Sequence, residues 1–524
     1  MSKLNVHTGM ETYRLDFEPD ENILDVLERN GINIRVGCNA IGVCGLCTVR
    51  VIEGNLNEPT ANELMFINKE ELELGMRLAC QIRTSDDLTL DVSENLPKSK
   101  WRELEFTTHG NSLSVQGDNH QFGVAVDIGT TQIKAMLCNM VTGQEHLSVF
   151  GPNPQNVYGA DVITRLVKST ESERFLNNMS RRVIDAIGEA IAELSQRISL
   201  NPQHITKVLI VANTAMLTLL TKKNGDLLLK PEHWNRYIDC VTVETGAWAT
   251  HWGIDSQAII DIVPPLGGFI GSDLTAGIAA ADIIQSKECK LLIDVGTNTE
   301  IALWDSQTLW VTSCAGGPAF EGSGIGCGML YDIGSIYGVM ISSGNLEYQT
   351  VGNITPKGIC GSGLVDLIAS LLKLQLINSK GRFTSSEQEY FLNPKECKLK
   401  ITKKDIDVIQ RAKASIGAGI SSLMADAGIH IDELEQVYLT GHFGSVLNIN
   451  HAQEIGLIPA VNPDIVSLFK NSALVGARKL LLTKDSRKHV SIIQQTTKII
   501  NLAQSIAFEE QFLEGLYLRP MEVS

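Results

Sequence analysis

Four cysteines near the start of the chain are spaced like the ligands of one inorganic cluster. Cys38, Cys44 and Cys47 lie in GCNAIGVCGLC, with five residues and then two between them, and Cys80 follows 32 residues later in RLACQ. Three thiolates on one short loop plus a distant fourth is the arrangement that wraps a [2Fe–2S] cluster, and Gly37, Gly42 and Gly45 suit a loop that curls closely around inorganic sulfide. Zinc is the competing occupant, but zinc sites usually show two close Cys pairs rather than a triplet and a single. A different chemistry is written twice further along. FGVAVDIGTTQIKAML (residues 122–137) and LLIDVGTNTEIALW (residues 291–304) are each an apolar strand ending in Asp, a Gly-Thr turn and a second apolar strand. Each reads as a β-hairpin with a phosphate-sized tip. Gly129 and Gly296 let the backbone bend, so that successive N–H groups at Gly129-Thr130-Thr131 and Gly296-Thr297-Asn298, with the hydroxyls of Thr130, Thr131, Thr297 and Thr299, surround phosphate oxygens. Asp127 and Asp294 then face a hydrated Mg²⁺ between them.

Other segments offer backbone rather than side chains. In GICGSGLVDLI, Gly361-Ser362-Gly363 sits at an expected helix N-terminus, where free amides bind anions. In QVYLTGHFGS, the turn Gly441-His442-Phe443-Gly444 leaves room for an adenine and ribose against backbone, with His442 read as a packed turn residue. Residues 311–329 are rich in glycine, so something must approach their backbone closely. A helix in TKKDIDVIQRAKASIGAGISSLMADAG is expected to start at a Thr402 cap and stop at Gly428, and NSALVGARKLL reads as a glycine-broken helix near a lobe interface. Asp161 and Arg165, four apart, read as a helix-surface ion pair. Cys138, Cys240, Cys289 and Cys397 are isolated thiols; Cys314, Cys327 and Cys360 fall in glycine-rich segments without the close pairs of a second metal site.

The elements that must position these groups divide the chain. At 524 residues it is too long for one core. Residues 1–95 alternate as a hairpin, then carry the amphipathic helix ENILDVLERNG and the later strands CTVRVIEG and LTLDV. They hold 17 acidic side chains against 8 Lys and Arg, a net of −9 within a chain total of −16, which serves solubility or docking to a basic redox donor. Residues 96–121 read as a linker with one short strand over 104–107, and a tether of about 25 residues spans on the order of 25–30 Å as a flexible coil. The alternating strands and helices of residues 122–290 and 291–524 are those of two α/β lobes. The negative charge argues against nucleic acid or an anionic membrane as partner. No apolar run is long enough to span a bilayer and the N-terminus is acidic, so a cytoplasmic protein is expected.

Two similar phosphate hairpins resemble those of the actin, sugar-kinase and heat-shock-chaperone superfamily, in which two ribonuclease-H-like lobes close on ATP. The first 95 residues resemble [2Fe–2S] ferredoxins of β-grasp fold, closer to the adrenodoxin and putidaredoxin branch than to the plant branch. Their combination, with DIGTT, NPQNVYGADVI, NTAM, GGFIGSDLTAG, DVGTNTEI, GPAFEG, GICGSGLVDLI and LTGHFG, resembles the reductive activators of corrinoid proteins. That resemblance implies a β-grasp cluster domain followed by a two-lobed actin-like ATPase. It further implies a [2Fe–2S] cluster on the four cysteines, ATP with Mg²⁺ in the cleft, a corrinoid protein as partner and an upstream electron donor, and it leaves room for a homodimer. Family members can carry a small extra domain before the first hairpin, for which this linker has no room. Because residues 311–329 follow the second hairpin directly, Ser313 and Cys314 are expected to face the corrinoid, with packing between lobes as the plainer alternative. Two other functions stay open: an ATP-gated electron donor to another metalloenzyme, and a small-molecule kinase with a regulatory cluster.

Overall fold

A computed structural model describes residues 2–8, 12–30, 32, 34, 47–92, 101–104, 121–159, 161–241, 243, 245–386, 388–392, 399–441, 446–502 and 505–521. The chain separates into two compact units, one made of residues 1–102 with 155–160, the other of 103–154 with 161–524. Among the described residues no helix is long and apolar enough to cross a membrane.

The smaller unit is a five-stranded sheet built from β1 (Ser2–His7), β2 (Thr12–Phe17), β3 (Thr48–Glu53), β4 (Met76–Leu78) and β5 (Leu88–Asp91), in the order β2-β1-β5-β3-β4. β1 and β2 form the expected antiparallel hairpin, whereas β1 and β5 run parallel. Helix α1 (Ile23–Arg29) covers one face, placing Ile23, Val26 and Leu27 in a core with Leu4, Val6, Leu88 and Leu90. The short helix α2 (Lys69–Glu73) opens on a capping box between Asn68 and Glu71. A two-residue strand, β6, lies at Arg102–Glu103; the strand expected over 104–107 falls outside the described residues from 105 onward.

The larger unit repeats one design. In its first half β7 (Phe122–Ile128), β8 (Gln132–Asn139) and β9 (Glu145–Pro152) form an antiparallel meander, while β10 (Ile205–Ala212) and β11 (Ile259–Ile262) extend the sheet in parallel on the β7 side. Helices α3 (Val162–Glu171), α4 (Glu173–Arg197), α5 (Thr214–Thr221), α6 (Gly246–His251) and α7 (Ser272–Ala280) surround it. In the second half β12 (Cys289–Val295), β13 (Thr299–Trp304) and β14 (Leu309–Cys314) make the equivalent meander, with β20 (Leu434–Gly441) and β21 (Val466–Leu468) parallel on the β12 side. All seven residues of β7 are buried; α12 (Ser472–Leu482) packs against β7 and β10, and α4 against the neighbouring β8 and β9. A strand buried on both faces has no solvent side to mark with polar residues, which is why FGVAVDI is continuously apolar.

Between β14 and β20 the chain forms α8 (Gly317–Phe320), a small sheet of β15 (Ser335–Ser342), β16 (Asn345–Thr350) and β17 (Gly358–Ile359), helix α9 (Gly361–Lys373), and the pair β18 (Glu389–Phe391) and β19 (Lys400–Thr402). Helix α10 (Lys403–Ala427) runs between the ends read from the sequence: Thr402 and Asp405 make its capping box, and Gly428 closes it in the left-handed region at φ 68°. Helix α11 (Ile449–Glu454) precedes α12, and α13 (Ser486–Thr496), β22 (Thr497–Ile499) and α14 (Ile506–Glu514) complete the unit. NSALVGARKLL is a continuous helix rather than a broken one. Gly476 is needed because α7 crosses there, and a Cβ would lie 1.8 Å from the Ala276 carbonyl oxygen. Through this crossing α12, although late in sequence, packs against β7 and β10 and joins the core of both sheets.

Candidate active site: two hairpins around one cleft

Each hairpin tip is closed by the N–H of its glycine, which reaches three residues ahead in the first and two in the second. Gly129 N–H donates to the Gln132 carbonyl at 2.9 Å, and Gly296 N–H to the Asn298 carbonyl at 3.0 Å. Beside each hairpin a parallel strand ends at the same level. In β10, Val211 pairs with Asp127, and the chain then turns at Asn213, which caps α5 and donates to the Thr130 hydroxyl at 3.1 Å. In β20, Thr440 pairs with Asp294 and the chain turns at Gly441, φ 84°, where a Cβ would lie 2.2 Å from the Val295 carbonyl oxygen. Ser272 ties the start of α7 to the end of β10 through Ala212, and Ser472 ties the start of α12 to Thr440 at 2.8 Å. The ends of these elements enclose a cleft of about 180 Å³.

Asp127, Gly129, Thr130, Thr131, Asp294, Gly296, Thr297, Asn298 and Gly441 all line this cleft. Asp273, Glu300 and Lys134 line it too, although their place in the sequence alone marks them with no role. Glu300 pairs with Asp294 across β12 and β13, and Lys134 with Asp127 across β7 and β8, so each partner falls on its aspartate's face of the sheet. Asp273 sits in the first turn of α7, just beyond Gly271, where a Cβ would meet its own Oδ1 at 2.5 Å.

Four carboxylates thus share the cleft with one lysine, whose Nζ is 3.9 Å from Asp127 Oδ2 and 3.0 Å from Asn471 Oδ1. Burial, and next the charge of Asp127, push Asp294 up to about 6. Burial followed by Asp127 and Asp294 push Asp273 to about 8, and burial with Asp273 and Asp294 lifts Glu300 well above the carboxylate range. Asp127 is raised by burial against the opposing pull of Lys134. This surplus of negative charge is what a cation relieves. Among the described residues no three acidic, His or Cys side chains converge tightly enough to hold a bare ion, so the donor set fits a cation that keeps its water shell, as Mg²⁺ does.

Three other assignments end up elsewhere. Gly361, Ser362 and Gly363 are buried beneath β15, away from the cleft: Ser362 Oγ donates to the Tyr337 carbonyl at 2.8 Å, and a Cβ on Gly363 would lie 2.3 Å from the Ile336 carbonyl oxygen. Cys314 is in the core of the second half, its thiol pushed up to about 12 by burial, while half-buried Ser313 pairs with Glu300 on β13. Arg165 is not at a helix surface. It is fully buried and donates from Nη1 to the Thr130 carbonyl at 2.7 Å, whereas Asp161 caps α3 through Thr164 N–H at 2.9 Å. His442, Phe443 and Gly444 lie outside the described residues.

In the smaller unit Cys38 and Cys44 lie outside the described residues, and Cys47 and Cys80 are buried with their sulfurs 3.3 Å apart. Two thiolates on one tetrahedral metal with bonds of about 2.3 Å stand roughly 3.7 Å apart, so this pair fits ligands to a common iron. The hydrogen bond from Cys47 draws the Cys80 thiol down to about 6 against burial, and Gln81 Nε2 lies 3.5 Å from its sulfur. The strand before Cys80 is anchored by a buried pair absent from the sequence reading. Arg77 grips Glu63 with both Nε (2.8 Å) and Nη2 (3.0 Å), and Glu63 also accepts from Leu78 N–H.

Residues 7–85 match the family model of the 2Fe-2S iron-sulfur cluster binding domain, residues 122–286 that of the RACo middle region, and residues 288–524 that of the C-terminal domain of RACo, the ASKHA domain. The chain is 30% identical over 418 residues to the corrinoid activation enzyme RamQ of Eubacterium limosum, covering 75% of this chain and 69% of that protein. It is 25% identical over 423 residues to the [Co(II) methylated amine-specific corrinoid protein] reductase of Methanosarcina barkeri, covering 75% and 76%. The solved structure of a reductive activator for corrinoid, iron-sulfur protein superposes over 100% of this chain and 99% of its own, with TM-score 0.67 and 25% identity. On the joint strength of the ferredoxin-type unit, the twin phosphate hairpins and these relationships, the chain belongs to the reductive activators of corrinoid proteins.

Proposed function

We propose that the chain uses Mg·ATP to drive transfer of one electron from its [2Fe–2S] cluster to the Co(II) of a partner corrinoid protein, returning it to Co(I) for methyl transfer. The observation that carries this is the convergence of both hairpins on one carboxylate-lined cleft in a chain that also buries Cys47 beside Cys80. When bound, the cluster supplies a single low-potential electron, and Cys38, Cys44, Cys47 and Cys80 would hold it. In the cleft, N–H groups of both tips would hold phosphate oxygens, Asp127 and Asp294 would orient the water shell of Mg²⁺, and Gly441 leaves room for the nucleoside. Asp273, which burial and the neighbouring charges of Asp127 and Asp294 hold up at about 8, orients the attacking water. The labour divides between a cluster domain of residues 1–95, a linker over 96–121, and lobes 122–290 and 291–524. A separate reductant docks on the acidic cluster domain, in the reducing cytoplasm.

ATP has a reason to be there. Plant-type [2Fe–2S] clusters sit near about −400 mV, a Co(II)/Co(I) couple lies lower, and each shortfall of about 59 mV costs a factor of ten in a one-electron equilibrium. The second hairpin has a direct route outward. The Gly296 carbonyl lies against Gly317 so closely that a Cβ there would be 1.5 Å from its oxygen, and Thr297 Oγ1 is 2.9 Å from Glu321 Oε1. The test is electron transfer from prereduced protein to a Co(II) corrinoid protein, followed by absorbance with ATP, with a non-hydrolysable analogue and with neither. Co(I) yield should be highest with ATP, and equal yields in all three would refute the coupling.

A further inference from the structure

The tip of the first hairpin is gripped from behind. Three successive carbonyls each accept from outside the hairpin: Gly129 from Asn153 Nδ2 at 2.8 Å, Thr130 from Arg165 Nη1 at 2.7 Å, and Thr131 from Asn153 N–H at 2.9 Å. In a trans peptide the C=O and the following N–H point in opposite directions because the unit is planar. Fixing the carbonyls of residues 129, 130 and 131 therefore fixes the N–H directions of Thr130, Thr131 and Gln132, all three of which line the cleft. Arg165 is fully buried and Asn153 is 1% exposed, so neither grip is diluted by solvent. Burying a guanidinium is costly, and a neutral side chain would suffice if packing alone were required. A cation directly behind an anion-binding tip also adds favourable potential at the phosphate. Among the described residues the second hairpin is supported differently, by close backbone contact with Gly317 and by the Thr297 hydroxyl on Glu321.

We propose that Arg165 and Asn153 are positioning residues for the nucleotide phosphates, holding the first tip with its amides aimed into the cleft before ATP arrives. This rests on the reading of the cleft as an ATP site. The obvious alternative, that both side chains only fill space, predicts altered stability without altered nucleotide affinity.

The test uses the full chain, with ATP hydrolysis kinetics and ADP binding by calorimetry. Arg165→Met keeps length and removes every donor; Arg165→Lys keeps the charge and one donor; Asn153→Asp keeps shape and removes the N–H given to Gly129. Arg165→Met and Asn153→Asp should each raise the KM for ATP and the Kd for ADP about tenfold, the equivalent of about 1.4 kcal/mol for one lost buried hydrogen bond. Turnover should stay within about threefold, since a support made equally in ground and transition states acts on KM. Arg165→Lys should recover most of the loss. Should Arg165→Met fail to fold, Asn153→Asp decides: unchanged KM and Kd in that folded variant overturn the proposal, as does a fall in kcat with KM unchanged. Wild-type protein that binds no ADP would instead overturn the assignment of the cleft, which separates the two failures.

Discussion

Gly317→Ala adds one methyl group to the molecule at the point where the glycine-rich segment meets the second hairpin. Its Cβ would lie 1.5 Å from the Gly296 carbonyl oxygen, 2.6 Å from the carbonyl carbon and 2.8 Å from the Thr297 oxygen. Non-bonded heavy atoms settle at roughly 3.5 Å, so either the tip or α8 must retreat by about 2 Å. The cost to stability is that of overpacking, about 1–3 kcal/mol, which a unit with about 5–15 kcal/mol to lose survives. The cost to function is larger, because a misplacement of about 1 Å at a reacting group can lower a rate by about 10²-fold. ATP turnover should therefore fall at least a hundredfold in a protein that remains folded by circular dichroism. Gly246→Ala is the control, since nothing lies within 4 Å of a Cβ there. Normal ATP turnover in folded Gly317→Ala protein would show that the tip does not depend on this contact, and the route drawn from the nucleotide to residues 317–321 would fail with it.

Four further outcomes can be checked. Asp127→Ala and Asp294→Ala should lower ATP turnover more than ATP affinity, because the carboxylates orient the cation's water shell while affinity is spread over backbone N–H groups; steady-state kinetics with calorimetry separates the two. Cys38→Ser, Cys44→Ser, Cys47→Ser and Cys80→Ser should each damage the absorption and EPR signals of the cluster, and an intact spectrum in Cys80→Ser would mean that the fourth ligand is another residue. Glu63→Gln leaves Arg77 buried without its charge partner and should destabilise the cluster unit by about 3–5 kcal/mol, read as a lower urea midpoint of that unit alone. The cleft also makes the larger unit sensitive to pH. Asp294 and Asp273 are held up at about 6 and about 8, against about 3.9 in an unfolded chain. The native state therefore keeps protons that the unfolded state has lost, and their contribution to stability falls as pH rises through that window. The urea midpoint of nucleotide-free protein should drop from about pH 5.5 to about pH 8.5, and Mg·ADP should flatten the slope; a rising midpoint would contradict the assigned charge surplus.

What the sequence discloses and what it conceals follow from how local each signal is. The hairpins are local: an apolar run, a glycine turn and a second run specify both strands and the tip, and β7–β8 and β12–β13 formed where they were read. The long helix is local as well, since Thr402 and Gly428 carry its ends. Glu300 was within reach, because a hairpin centred on Thr297 places it opposite Asp294. Asp273 was not, since an acid in the first turn of a helix looks like a capping residue until the fold brings Asp127 and Asp294 beside it. Arg165 was misread for a related reason. Spacing of four places it beside Asp161 on a helix, but Asp161 spends its oxygens on Thr164, and which face of α3 is buried depends on the hairpin behind it. Gly361-Ser362-Gly363 has the composition of an anion-binding turn, yet Gly363 serves the close approach of β15. The buried pair of Glu63 with Arg77 joins residues 14 apart whose charges look like ordinary surface.

The two hairpins, alike in sequence, are supported in ways that suit different tasks. The first is fixed by directional hydrogen bonds from buried side chains, so its geometry is set before the nucleotide binds and it resists displacement. The second rests on a glycine with no room for a methyl group and on one hydroxyl bond to Glu321, so a shift of its tip must be passed on to α8 or opposed by it. A ligand changes a conformational equilibrium only by as much as it binds the two states differently. A first tip held by buried donors and a second tip in contact with α8 would let a nucleotide meet that requirement through the second side, since a displaced second tip must carry α8 with it. The same asymmetry separates the variants. Loss of the Arg165 grip should weaken binding, while a methyl group at Gly317 should uncouple turnover from it, and finding the same KM-only effect at both positions would refute this division between the hairpins.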